Sequence, residues 1–168
     1  MKMNMPCIRP RVAALLLGVS GLAAVSSSWA CTRLVFHGAN GHVITARSMD
    51  WKSDIVSNLW VLPRGMQRTG ETGPNTVRWT SKYGSIITSG YDISTTDGVN
   101  EAGLNANLLW LVESQYPAFG TNSKPGLSIA AWAQYVLDNF ATVQQAVAAL
   151  SKEPFTLVSD TMPGENRL

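Results

Sequence analysis

The sequence predicts an α+β domain built in layers. Three observations carry this. Short β-forming runs separated by turn residues fill residues 32–111. Two consecutive segments of helical periodicity occupy residues 128–150. An apolar run at Phe155–Val158 then returns to strand character.

Thr32–Phe36 and Val43–Ala46 are short and rich in β-formers, and Asn40-Gly41 lies between them. That dipeptide is a strong hairpin signal, because a type I′ turn needs positive φ at both central residues. With Asn40 and Gly41 as a two-residue loop, Leu34 opposes Arg47 and Cys31 opposes Asp50. A longer loop slides this register by a residue or two and leaves Cys31 near the 47–50 end. Arg47 and Asp50 are three positions apart, so a regular strand sends them to opposite faces. Both reach Cys31 only where the strand bends, bulges or ends near Ser48.

Leu59–Leu62 reads as a strand closed by Pro63-Arg64-Gly65, and the polar, Gly- and Pro-containing run Gln67–Asn75 as a surface loop. Thr76–Thr80 and Ser85–Thr88 are expected to pair around Lys82-Tyr83-Gly84. Ser94–Val99 and Leu104–Leu111 form a third pair across Asn100-Glu101-Ala102-Gly103, with Gly103 at positive φ. Residues 113–124 form another loop. Ile129, Trp132, Ala133, Val136, Leu137 and Phe140 then recur at helical spacing behind Ser128 as N-cap. Thr142-Val-Gln-Gln145 resembles a capping box for a second helix, which ends before Pro154.

Residues 1–30 have the design of an export signal. Lys2, Arg9 and Arg11 form a basic start, an apolar core runs from Val12 to Val25, and small Ser28 and Ala30 stand at −3 and −1 of a cleavage site. The apolar run is short and Gly/Ser-interrupted for a membrane span. The domain organisation is thus a signal peptide over 1–30 and a single domain from residue 31 to 168, in the periplasm or secreted. Three of the thirteen basic residues and none of the eleven acidic ones precede residue 31. The remainder, ten basic against eleven acidic, carries about −1, which gives no reason to expect a nucleic-acid or anionic-membrane partner. The chain stops at Pro163–Leu168, soon after a strand begins, which suggests the N-terminal part of a longer protein.

Cys7 lies inside the signal, so the exported chain keeps Cys31 alone. A single thiol in an exported protein has three readings: a small buried hydrophobe, a lipid-anchored cysteine, or a catalytic thiol. Trp29 and Ser28 fit a lipoprotein signal poorly. As a catalyst, Cys31 is well placed. Cleavage after Ala30 leaves an α-amine on the same residue, with an unperturbed pKa of about 7.7–8.0, suited to take the thiol proton. Arg47 favours thiolate, and Asp50 orients the amine.

The blander readings are as follows. Arg47 and Asp50 alone would be an ordinary surface pair worth under about 1 kcal/mol. Asp97 and Glu101 read as turn residues, and Asn105 and Asn107 as strand-edge polar residues. Trp51 and Trp110 suit a core or a substrate-pocket wall equally. His37 and His42 flank the far turn, away from any triad. No metal-ligand spacing appears, and the chemistry needs no cofactor.

Cys31, the run Arg47-Ser-Met-Asp50-Trp51 and Asp97-Gly-Val-Asn-Glu-Ala-Gly-Leu104 resemble the choloylglycine hydrolase family, which includes bile salt hydrolases and penicillin V acylases. The resemblance covers Cys31 to the end of the chain. It implies the αββα sandwich of N-terminal nucleophile hydrolases, hydrolysis of linear amides through the N-terminal cysteine, and commonly a homotetramer. Cys31 matches the nucleophile, and Arg47 and Asp50 the residues around it. The family's oxyanion Asn and a later Arg would fall beyond Leu168. Trp110 stands where bile salt hydrolases usually have Asn. Trp51 with Trp110 is similar to the penicillin V acylase-like branch of Gram-negative bacteria, some of whose members also cleave acyl homoserine lactones. The alternative, from a different class, is a non-catalytic lipid-anchored periplasmic binding module with Cys31 acylated.

Overall fold

A computed structural model describes residues 31–159 except 52, 112–113 and 121–122. The expected signal segment 1–30, the cleavage site expected after it, and the terminal Pro163–Leu168 lie outside the described residues.

Strands β1 (Thr32–His37) and β2 (Val43–Ser48) form an antiparallel hairpin. Asn40 and Gly41 both adopt positive φ, at 58° and 76°, as the dipeptide requires. Ala39 joins them in the turn, however, and His37 pairs with Val43. The loop therefore has three residues, and the register is displaced by one from the expected pairing. Leu34 opposes Ala46, Arg47 opposes Arg33, and continuing the ladder sets Met49, not Asp50, across from Cys31. Strand β2 does end at Ser48.

The main sheet has the order β3 (Leu59–Leu62), β6 (Ser85–Gly90), β7 (Ser94–Asn100), β8 (Asn105–Asn107), all antiparallel. Two smaller pairs flank it. Strand β4 (Gln67–Thr69) pairs antiparallel with β5 (Arg78–Thr80), so part of the expected surface loop is strand. The expected pairing of 76–80 with 85–88 does not form, because β5 turns back on β4 and β6 inserts between β3 and β7. Strand β9 (Gly126–Ser128) runs parallel to β10 (Thr156–Val158), an arrangement that local patterning does not reveal. The Asn100–Gly103 turn forms with Gly103 at φ 86°.

Helix α1 (Ile129–Asn139) begins at Ser128, whose side chain accepts a hydrogen bond from the Ala130 N–H. Helix α2 (Val143–Leu150) begins at Thr142, which accepts from the Gln145 N–H, while the Gln145 side chain accepts from the Ala141 N–H. These reciprocal bonds satisfy donors that a helix start leaves open. Ile129, Ala133 and Leu137 bury one face of α1. Tyr135 links two apolar clusters, edge-on to Trp79, Phe140 and Phe155. No helix among the described residues is long and apolar enough to cross a membrane.

Alternation along the strands assigns the sheet's two faces. Ile87, Gly98 and Asn100 face α1: a Cβ at Gly98 would stand 2.7 Å from both Ile87 Cγ2 and Leu137 Cδ1, and Asn100 donates to the carbonyls of Leu137 and Phe140. The opposite face carries exposed Leu59, Val61, Ile86 and Val99, with Asp97 and Asn107 in the next row. An αββα sandwich places a second sheet against such a face.

Near the end of α1, Asp138 is 1% exposed. Its carboxylate accepts hydrogen bonds from Trp79 Nε1 (2.7 Å) and Gln134 Nε2 (2.7 Å) and lies 3.0 Å from Arg68 Nε. Burial outweighs these partners and raises its pKa above the usual carboxylate value.

Two stability predictions follow from this packing. Gly98→Ala should destabilise the protein by about 1–3 kcal/mol in urea melts, because the new methyl meets the Ile86 carbonyl as well as two core side chains. For Asp138, a raised folded-state pKa means that the folded form holds the proton more tightly. Its contribution is complete below the unfolded value of 3.8 and is lost as pH rises through the raised value. Measured against Asp138→Asn, the parent protein should therefore lose relative stability as pH increases from about 4.

Candidate active site

Cys31 immediately precedes β1, is half-buried and is a free thiol. It lines an apolar pocket with Met49, Trp51, Leu108, Trp110 and Ile129. The sequence-expected Trp51 and Trp110 thus meet Cys31 in one cavity, their rings edge-to-face at 5.7 Å and 78°. The pocket assembles from four sources: the hairpin end with the segment that follows it, the segment after β8, the β6–β7 region with Tyr91, and the start of α1 at Ile129.

The ending of β2 at Ser48 lets the chain re-aim. The Thr32 N–H, next to Cys31, donates to Ser48 Oγ (3.3 Å), and that hydroxyl donates to Asp50 Oδ2 (3.1 Å). Ser48 therefore ties the strand that carries Cys31 to the carboxylate. Asp50 is exposed.

Arg47 lies on the other side of β2 and is not paired with Asp50. Its side chain is 9% exposed, and its Nε stands 2.9 Å from Asp97 Oδ1. The contact is an ion pair whose angle falls outside hydrogen-bond geometry. Nη2 donates to the Leu108 carbonyl, and Nη1 is buried without a hydrogen-bond partner. Asp97 also accepts from Asn107 Nδ2 (2.8 Å).

Asp97 is therefore not the turn residue that the sequence suggests. It sits inside β7 and receives the arginine of the hairpin. Asp-Gly reads as a turn, whereas Gly98 is needed here for close packing against α1. Asn107 joins the same cluster, while Asn105 bonds its own sheet through the Gly98 carbonyl. Glu101 is a turn residue: its carboxylate accepts from the Gly84 N–H and pairs with Arg64, and the Gly84 bond above all lowers its pKa, opposed by desolvation and aided less by Arg64.

A register shift in β6–β7 leaves Thr96 unpaired in its ladder. Thr96 lines the pocket, and its carbonyl accepts from the Leu108 N–H (2.7 Å). This irregularity next to the cavity extends the sheet into the pocket wall. His37 and His42 are exposed at the far turn. Among the described residues, no group of three His, Cys, Asp or Glu side chains is arranged to hold a metal ion.

Comparison with known proteins places the chain in a family. Residues 31–164 match the family described as linear amide C–N hydrolases, choloylglycine hydrolase family. The penicillin V acylase of Pectobacterium atrosepticum is 54% identical over 149 residues, covering 84% of this chain and 40% of that protein. The structure of penicillin V acylase from Agrobacterium tumefaciens superposes with a TM-score of 0.72 at 69% identity, over 75% of this chain and 39% of that one. A variant of conjugated bile acid hydrolase from Clostridium perfringens superposes at 0.63 with 23% identity, over 82% and 41%, which shows the shared fold. The chain thus spans about 40% of the length of these relatives. It carries part of the N-terminal nucleophile hydrolase fold, and it belongs to the choloylglycine hydrolase family.

Proposed function

We propose that this chain forms part of an exported amidase of the penicillin V acylase type, with Cys31 as its N-terminal nucleophile. The observation that carries the reading is the convergence of Cys31, Trp51 and Trp110 on one apolar pocket, beside a hairpin that bears Arg47 and Asp50. The family match beginning at residue 31 supports Cys31 as the first residue of the working domain. The identities of 54% and 69% to penicillin V acylases, against 23% to a bile acid hydrolase, favour an aryloxyacetyl amide over a conjugated bile salt.

Export and cleavage after Ala30 free the Cys31 α-amine. That amine takes the thiol proton, and the thiolate attacks the amide carbonyl. The tetrahedral oxyanion is held by preorganised donors, each worth about 3–4 kcal/mol in comparable hydrolases. The amine then gives its proton to the leaving nitrogen, the C–N bond breaks, and an acyl thioester remains. Water, deprotonated by the same amine, attacks the thioester and releases the acid and the thiol. Arg47 supplies fixed positive charge beside the hairpin end. Asp50, linked through Ser48, accepts from the amine and orients it. The oxyanion Asn and later Arg that the family resemblance implies would complete this site. Trp51 and Trp110 hold the acyl group. Homotetrameric assembly is part of the same proposal.

Cys31→Ser should abolish turnover of penicillin V, a glycine-conjugated bile salt and a long-chain acyl homoserine lactone, tested side by side. An unaffected rate removes Cys31 as nucleophile, and a diacylglyceryl adduct in the intact N-terminal mass replaces the enzyme with a lipid-anchored binding module. Asp97→Asn should lower kcat/KM by about 10- to 100-fold by releasing Arg47 from its position, since displacement by about 1 Å carries losses of that order. Steady-state kinetics on the whole protein, with a urea melt as control, would measure it.

A further inference from the structure

Trp51 is not held in place by packing alone. Its indole N–H donates to the Tyr91 hydroxyl at 2.9 Å, and the same hydroxyl lies 2.8 Å from Ser53 Oγ. Tyr91 belongs to the turn between β6 and β7, where it and Asp92 adopt φ of 53° and 54°. Such values are uncommon for residues other than glycine and persist only where surrounding contacts impose them. Those contacts are present. The Tyr91 N–H donates to the Ile55 carbonyl at 2.6 Å. The Asp92 carboxylate accepts two bonds from Asn58 Nδ2, at 2.8 and 2.9 Å, and one from Ser89 Oγ at 2.7 Å. Hydrogen bonds from Asn58, then Ser89, hold its carboxyl below the ordinary value against a smaller effect of desolvation, with Trp60 adding a little. A strained turn is thus anchored at both of its left-handed residues, and it delivers one hydroxyl to one indole.

We propose that Tyr91 is a positioning residue for the Trp51–Trp110 pair, acting through the Trp51 N–H, and that it sets a preference for flat aryl over flexible alkyl acyl groups. The two rings stand 78° apart. Walls at a near right angle give a planar ring both a face and an edge to contact. Without the hydrogen bond, Trp51 can rotate about its side-chain torsions. A flexible alkyl chain adapts to that change, whereas a rigid ring loses its fit. The inference rests on the amidase reading above for its substrate, but not for the geometry of the ring pair.

The test uses Tyr91→Phe, which keeps the ring and the turn and removes only the hydroxyl. In the whole protein, the ratio of kcat/KM for a phenoxyacetyl amide to that for a hexanoyl amide of the same amine should fall about three- to tenfold, the size expected for one lost neutral hydrogen bond. The loss should appear in the KM of the aryl substrate more than in kcat. In a Trp51→Phe background, which has no indole N–H, Tyr91→Phe should cause no further loss. An unchanged ratio, or an equal loss in that background, overturns the proposal. The exciton couplet of the two indoles in far-ultraviolet circular dichroism, assigned by its disappearance in Trp110→Phe, reads the ring pair without turnover. It should weaken in Tyr91→Phe. If the unmodified protein cleaves neither amide, the amidase reading fails and the couplet alone decides: retained in Tyr91→Phe it overturns the positioning role, weakened it supports it.

Discussion

The contact between Arg47 and Asp97 is the constraint on which the geometry around Cys31 depends. The β1–β2 hairpin shares no ladder with the main sheet among the described residues. A lone two-stranded hairpin is marginally stable in water, and every residue of β1 is exposed here. What ties it down is side-chain chemistry at one end: Arg47 to Asp97, Arg47 to the Leu108 carbonyl, and Trp51 against Trp110. The ion pair is largely withdrawn from water, so its geometry matters more than that of a surface pair. The exposed Arg64–Glu101 pair makes the contrast, since solvent screens it and it fixes only a turn.

Features governed by neighbours in sequence were legible, and features governed by distant partners were not. Ser128 and Thr142 cap helices because a hydroxyl reaches a backbone N–H two or three residues away. Asn40-Gly41 turns because both residues tolerate positive φ. The loop length escaped because Ala39 tolerates the added turn conformation equally well, and nothing local decides between two and three residues. Strands β9 and β10 pair across 30 residues in parallel, at a distance where three-residue strands leave no periodic signal. Asp97 was misread because its neighbour Gly98 signals a turn, while its actual duty is steric.

The candidate site shows the same division. The proximity of Cys31 to the far end of the hairpin follows from the turn and survives the one-residue slip. The slip changes which side chain stands opposite: Met49 takes the position across from Cys31 and lines the pocket. Asp50 is instead reached through Ser48. A hydroxyl relay of this kind depends on where β2 ends, and that end lies between the tertiary contacts of Arg47 and Trp51.

An arginine held at two points behaves differently from a mobile one. Nε at Asp97 and Nη2 at Leu108 fix the guanidinium plane, so its charge need not reorganise when charge on a neighbouring atom changes. The thiolate proposed at Cys31 requires preorganised charge, because a cation that must move loses part of its effect to that motion. Asp97 balances the charge that makes burial of Arg47 tolerable, while the unpartnered Nη1 leaves one donor uncommitted. The hairpin, the ion pair and the aromatic pocket therefore form one mechanical unit: the carboxylate on β7 holds the arginine, the arginine holds the strand, and the strand places the sulfur.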